Sequence, residues 1–125
     1  MLRLVLESWL LLIRIEITMR FAQFKEIHGV VHEAPVHALV KDPPALNEDL
    51  CTAMDYACVL YFKPVLCLQR SSATTLLLRR HGWKAEMVIG AQLAPFKSHA
   101  WVEIEGVVVN DKPYVTEIYQ VLERC

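Results

Sequence analysis

Long uncharged apolar runs are missing from this chain, although 54% of its 125 residues are hydrophobic. A membrane-spanning helix needs roughly 20 mostly apolar residues in a row. The N-terminal run Ser8-Trp9-Leu10-Leu11-Leu12-Ile13 is far shorter, and Arg14, Glu16 and Arg20 interrupt the residues after it. A transmembrane helix is therefore not expected. Glu7 precedes the run and no small-residue cleavage site comes after it, which argues against a secretory signal. Net charge is almost absent as well, −1 at pH 7. No field is left to attract nucleic acid or an anionic membrane. The cysteines, Cys51, Cys58, Cys67 and Cys125, form no CxxC pair, so zinc spacing is missing. No glycine-rich phosphate loop exists, and no cofactor is expected. His28, His32 and His37 lie close in sequence, but Gly29 and Pro35 break any helix that would align them. Three residues separate Glu33 from His37, so this is not HExxH, and no metal site is expected. The expected setting is the cytoplasm, with reduced thiols.

The length allows one domain with a modest core, expected to span 1–125 as a helical part, 1–62, and a helix plus sheet, 63–125. Residues 3–28 contain no Gly or Pro. Leu10, Ile13, Ile17, Phe21, Phe24 and His28 follow a helical stripe. Ile13, Ile15, Ile17, Met19 and Phe21 also alternate with polar residues as a strand would. Length favours one long helix, since strands run about 3–10 residues. Gly29 should end it, and Pro35 with Asp42-Pro43-Pro44 should form a loop. A second helix should start near Pro44, bury Leu46, Leu50, Ala53, Ala57 and Leu60 on one face, and end before Lys63-Pro64. Cys51 and Cys58, seven apart, share a face and read as small core residues. A third helix should run from Cys67 to Gly82, a good residue just past a helix end. Strands are expected near 84–91, 99–104 and 107–111, and a short helix or strand over 114–123. Cys125 is expected to fray. Helices first and strands later predict an α+β fold, N-terminal helices packed on a small antiparallel sheet.

Cys67, His99 and Asp111 carry the chemistry. Taken singly, each has a bland reading: a buried thiol, a surface strand histidine, a turn-forming aspartate in Asn110-Asp111-Lys112-Pro113. Their positions together argue for a cysteine-nucleophile triad. Cys67 would open a helix, where unpaired N–H groups and the dipole favour a thiolate. A three-residue loop, Ile104-Glu105-Gly106, would set His99 opposite Asp111 on one face of a hairpin. A two-residue Glu105-Gly106 loop would send Asp111 to the other face. Trp101 shares the His99 face in either register, as a shield for the site, a substrate contact or plain core.

The stretches Cys67-Leu68-Gln69-Arg70-Ser71, Leu76-Leu77-Leu78-Arg79-Arg80-His81-Gly82, Val88-Ile89-Gly90, Pro95-Phe96, His99-Ala100-Trp101-Val102-Glu103 and Val109-Asn110-Asp111 resemble the leader peptidases of lasso-peptide biosynthesis. The resemblance is dense over 60–112 and general over 1–59. It implies a transglutaminase-like, papain-related core, with the family's catalytic residues on Cys67, His99 and Asp111. It implies removal of the leader from a ribosomal precursor, before a separate ATP-dependent cyclase closes the macrolactam. Some relatives carry a fused winged-helix recognition domain. The roughly 60 residues before Cys67 read as two helices, so recognition is expected from a separate protein. The expected reaction is acyl transfer, with the Cys67 N–H as oxyanion donor and no glutamine matching a papain-like role. Two other readings remain open here: an amidase or acyltransferase of the same superfamily, and a non-catalytic maturation scaffold.

Overall fold

The computed structural model describes residues 2–21, 24–36, 46–93 and 95–125. Its elements are α1 (Leu2–Phe21), α2 (Phe24–Glu33), α3 (Asn47–Leu60), α4 (Cys67–Arg80), β1 (Ala85–Leu93), β2 (Phe96–Ile104), β3 (Val107–Val108), α5 (Val115–Ile118) and β4 (Gln120–Arg124). The fold is α+β, with N-terminal helices packed on a small antiparallel sheet of strand order β3-β2-β1-β4. Among the described residues no helix is long and apolar enough to cross a membrane.

The ambiguous stretch over 10–21 is helical. Val5, Ser8, Leu11, Leu12, Ile15 and Glu16 recur at three- and four-residue spacing and are buried. That face packs against α3 and α4. The stripe singled out from the sequence points elsewhere: Leu10, Ile17 and Phe21 are exposed. A helix apolar on most of its circumference offers more than one stripe, and packing selects one of them. Gly29 does not end the helical region. It lies inside α2, where Ile27 and Val31 are buried and hold the helix through it. The cost of an interior glycine, about 1 kcal/mol, is small beside that burial. His37 and the expected helix start near Pro44 lie outside the described residues. Leu50, Ala53, Met54 and Ala57 bury the inner face of α3, while Leu46 and Leu60 are exposed at its two ends. Cys51 and Cys58 are half-buried.

α4 is the central helix, with Gln69 and every residue from Ser71 to Arg79 buried. Two of its buried hydroxyls bond within the helix: Ser72 donates to the Leu68 carbonyl (2.7 Å) and Thr75 to that of Ser71 (2.8 Å). It stops as its sequence requires. Gly82 takes φ 89°, its N–H bonds the Arg79 carbonyl, and Trp83 N–H bonds the Leu78 carbonyl. Residues 114–123 supply both expected alternatives, α5 and then β4. β4 pairs with β1 rather than with its sequence neighbours. Cys125 does not fray. It exchanges two backbone hydrogen bonds with Met87 (2.8 and 2.9 Å) and buries its thiol. The missed signal is non-local, since nothing near residue 125 announces a partner 38 residues earlier.

Candidate active site

Cys67 opens α4 and is exposed. Leu66 is the N-cap, extended at φ −76° and ψ 154°, and gives no side-chain cap. An apolar residue there leaves the first-turn N–H groups without the oxygen that Ser, Thr or Asp would supply. The helix start is fastened from inside instead. Gln69 Nε2 donates to the Leu12 carbonyl (3.0 Å) and lies 3.3 Å from both Glu16 Oε1 and Tyr61 Oη. Lys63 donates to Glu16 Oε2 at 2.8 Å. The Lys63 hydrogen bond, partly opposed by burial and helped by Arg20, holds the Glu16 carboxyl below the usual carboxylate range. Gln69 is thus occupied by this network, two residues from the thiol.

His99 lies on β2 opposite Gly90 of β1. Trp101 and Glu103 share its face by strand periodicity. Trp101 is fully buried, its ring 6.1 Å from the imidazole. Tyr119 stacks on the imidazole at 5.2 Å and lies tilted against Trp101 at 6.2 Å. Gly90 makes room for this floor: a Cβ there would stand 2.7 Å from the Trp101 ring and 3.0 Å from the Gln120 carbonyl. Trp101 Nε1 donates to Glu103 Oε2 (2.8 Å), and Arg124 donates to Oε1 (2.7 Å). Burial pushes the Glu103 carboxyl up, but these two donors outweigh it and leave the group below its ordinary range.

Asp111 meets His99, by a route other than the expected register. The turn has two residues, Glu105 (φ 51°) and Gly106 (φ 81°), so Ile104 pairs with Val107 and Glu103 with Val108. Both turn residues take the left-handed backbone of a tight hairpin turn. Continued, that ladder would put Asp111 on the opposite face. It is not continued. Val109 N–H still bonds the Val102 carbonyl (3.0 Å), but Val102 N–H goes to the side-chain Oδ1 of Asn110 (2.7 Å). A side-chain amide has replaced a main-chain partner, and the chain leaves the sheet. Asp111 Oδ2 then lies 2.5 Å from His99 Nε2, while Oδ1 accepts the Lys112 N–H at 2.7 Å. The two side chains are about a quarter exposed.

The direction of α4 relates Cys67 to this pair. Ser71 donates to the Ala100 carbonyl (3.0 Å). Further along, Ser72 touches Met87, the partner of Val102, and Arg79 donates to the Ala85 carbonyl, the partner of Ile104. The helix therefore runs the same way as β2, and its Cys67 end lies toward the His99 end of the strand. Cys67 and Ser71, four apart, share a helix face. The other thiols are differently placed. Burial, then Asp55, pushes Cys51 up to about 11. Burial raises Cys58 and Cys125 as well. His28 is 2.9 Å from Glu123 and stacks on His32. Tyr119, Ser71 and Asn110 had no role in the reading of the sequence. A serine four residues after the helix-opening cysteine, on a face that had to be buried, was the available signal.

An exposed thiol on a helix that points toward the end of a strand bearing a paired histidine and carboxylate is the layout that acyl transfer through a thioester would use. Comparison with known proteins gives the family. The microcin J25-processing protein McjB of Escherichia coli is 39% identical over 56 residues, which is 45% of this chain and 27% of that protein. No solved structure gives a significant match. A profile of the transglutaminase-like superfamily matches residues 9–124, nearly the whole chain, and the chain belongs to that superfamily.

Proposed function

We propose that this chain is a cysteine peptidase that removes the leader peptide from a lasso-peptide precursor before macrolactam closure. The observation that carries the reading is the His99–Asp111 pair, 2.5 Å apart, at the end of β2 toward which α4 directs the exposed Cys67. The likeness to a microcin J25-processing protein supplies the substrate class. With Asp111 on Nε2, the imidazole presents Nδ1 to the thiol. Asp111 fixes that tautomer and stabilises the imidazolium. The Cys67 thiolate attacks the scissile carbonyl, and its oxygen takes the electron pair. The uncapped first-turn N–H groups, that of Cys67 first, steady the oxyanion. Collapse of this intermediate breaks the C–N bond, and His99 gives its proton to the departing amine of the core. Water, deprotonated by His99, then releases the leader as a free acid and restores the thiol. Trp101 and Tyr119 form the floor beneath the imidazole.

The partners implied by this reading are the precursor leader, a separate winged-helix recognition protein and the ATP-dependent lasso cyclase. The test is mass spectrometry of precursor incubated with the protein, with and without the recognition protein. Leader and core fragments that together account for one water are expected, at a higher rate when the recognition protein raises the effective substrate concentration. An intact precursor under both conditions contradicts the reading. A leader amidated by an added amine, with no hydrolysis, would favour an acyltransferase instead.

A further inference from the structure

Three elements meet at one polar joint. Ser71 Oγ donates to the Ala100 carbonyl (3.0 Å) and receives a hydrogen bond from Asn110 Nδ2 (3.3 Å). Asn110 Oδ1 accepts the Val102 N–H (2.7 Å). Ser71 is 1% exposed and Asn110 half-buried. Each member stands beside one residue of the proposed triad: Ser71 one turn from Cys67 on the same helix face, Ala100 next to His99, and Asn110 next to Asp111. The joint lies where β3 has ended, so the edge of β2 is held there by side chains instead of a neighbouring strand. We infer that Ser71 and Asn110 are positioning residues, which lock α4, β2 and the Asp111 segment into the one arrangement that the reaction needs.

The inference rests on the triad reading and extends it to residues that never touch substrate. Both residues hold elements together, but packing alone does not call for these side chains. An alanine at 71 would suit a buried helix, and the ladder could close on the Val109 carbonyl without Asn110. A buried serine bonded to a strand carbonyl and to an amide at once fixes both the rotation of α4 and its distance from β2. A displacement of about 1 Å between reacting groups can cost on the order of 100-fold in rate.

The test uses the full chain with its precursor and, independently of substrate, the rate at which iodoacetamide labels Cys67 at pH 7. Ser71→Ala and Asn110→Ala are each expected to lower kcat by about 10- to 100-fold, with KM changed less than about 3-fold, and to slow labelling of Cys67. Ser71→Thr keeps the hydroxyl and is expected to recover most of kcat. The double variant should lose little more than the worse single one, because both remove the same link. If Ser71→Ala does not fold, Asn110→Ala at the same joint decides the matter. Folded alanine variants with wild-type kcat and wild-type labelling overturn the inference, even if their melting temperatures fall. A wild-type protein that neither cleaves precursor nor labels at Cys67 overturns the triad itself, and this inference with it.

Discussion

Four thiols in one short chain make a test at the scale of single residues. Cys51, Cys58 and Cys125 carry thiols raised by burial, Cys51 to about 11, so almost none of them is thiolate at neutral pH. Cys67 is exposed at a helix start. Iodoacetamide at pH 7 should therefore label Cys67 first, and peptide mapping after brief treatment should find the adduct there. Labelling that favours Cys51 or Cys58 would remove Cys67 as nucleophile. Asp111→Asn should keep the fold, because its side chain is partly exposed and bonded only to His99 and to the adjacent Lys112 N–H among the described contacts. It should lower kcat/KM by about 100- to 10,000-fold, because an amide favours the wrong imidazole tautomer. A loss under 10-fold would reduce the site to a Cys67–His99 dyad.

At the scale of elements, two glycines with open surroundings should respond in opposite ways. A Cβ at Gly29 meets nothing within 4 Å and sits in α2, so Gly29→Ala should stabilise by about 0.5–1 kcal/mol. A Cβ at Gly106 also meets nothing, but its φ of 81° opposes any branched side chain. Gly106→Val should destabilise by about 1–3 kcal/mol and lower activity with the hairpin. Thermal melts of the two variants check both signs. The pair also marks what was legible in the sequence. α4 could be placed at both ends because its signals are local: Lys63-Pro64 before it, Gly82 after it. A turn at Glu105-Gly106 was equally local. The hairpin register was not, since Ile104-Glu105-Gly106 fits two loop lengths, and only the exit through Asn110 brings Asp111 back to His99. The pairing of β4 with β1 and the burial of Cys125 depend on contacts distant in sequence. On α1, composition showed a helix but not which of its apolar faces the core would take.

For the whole molecule, Glu16 and Glu103 tie separate parts together. Glu16 joins α1 to Tyr61, Lys63 and Gln69, and Glu103 joins β2 to Arg124 at the far edge of the sheet. Both carboxyls lie below their ordinary range in the folded state. Their contribution is complete above the unfolded value, about 4.3, and is lost as pH falls through the lower folded values. Stability should thus hold from pH 7 to about 5 and decline below about 4.5. Glu16→Gln with Glu103→Gln should flatten that decline in melts taken across the range. An acid limb as steep as that of the wild type would assign it to other carboxylates. The central claim is chemical, and one measurement reaches it directly: intact-mass analysis of the protein during turnover of a lasso precursor. The account predicts a transient adduct equal to the acylating leader, mapped to Cys67, then free leader and core, and neither adduct nor products with Cys67→Ala. Cleavage by Cys67→Ala at the wild-type rate would contradict it.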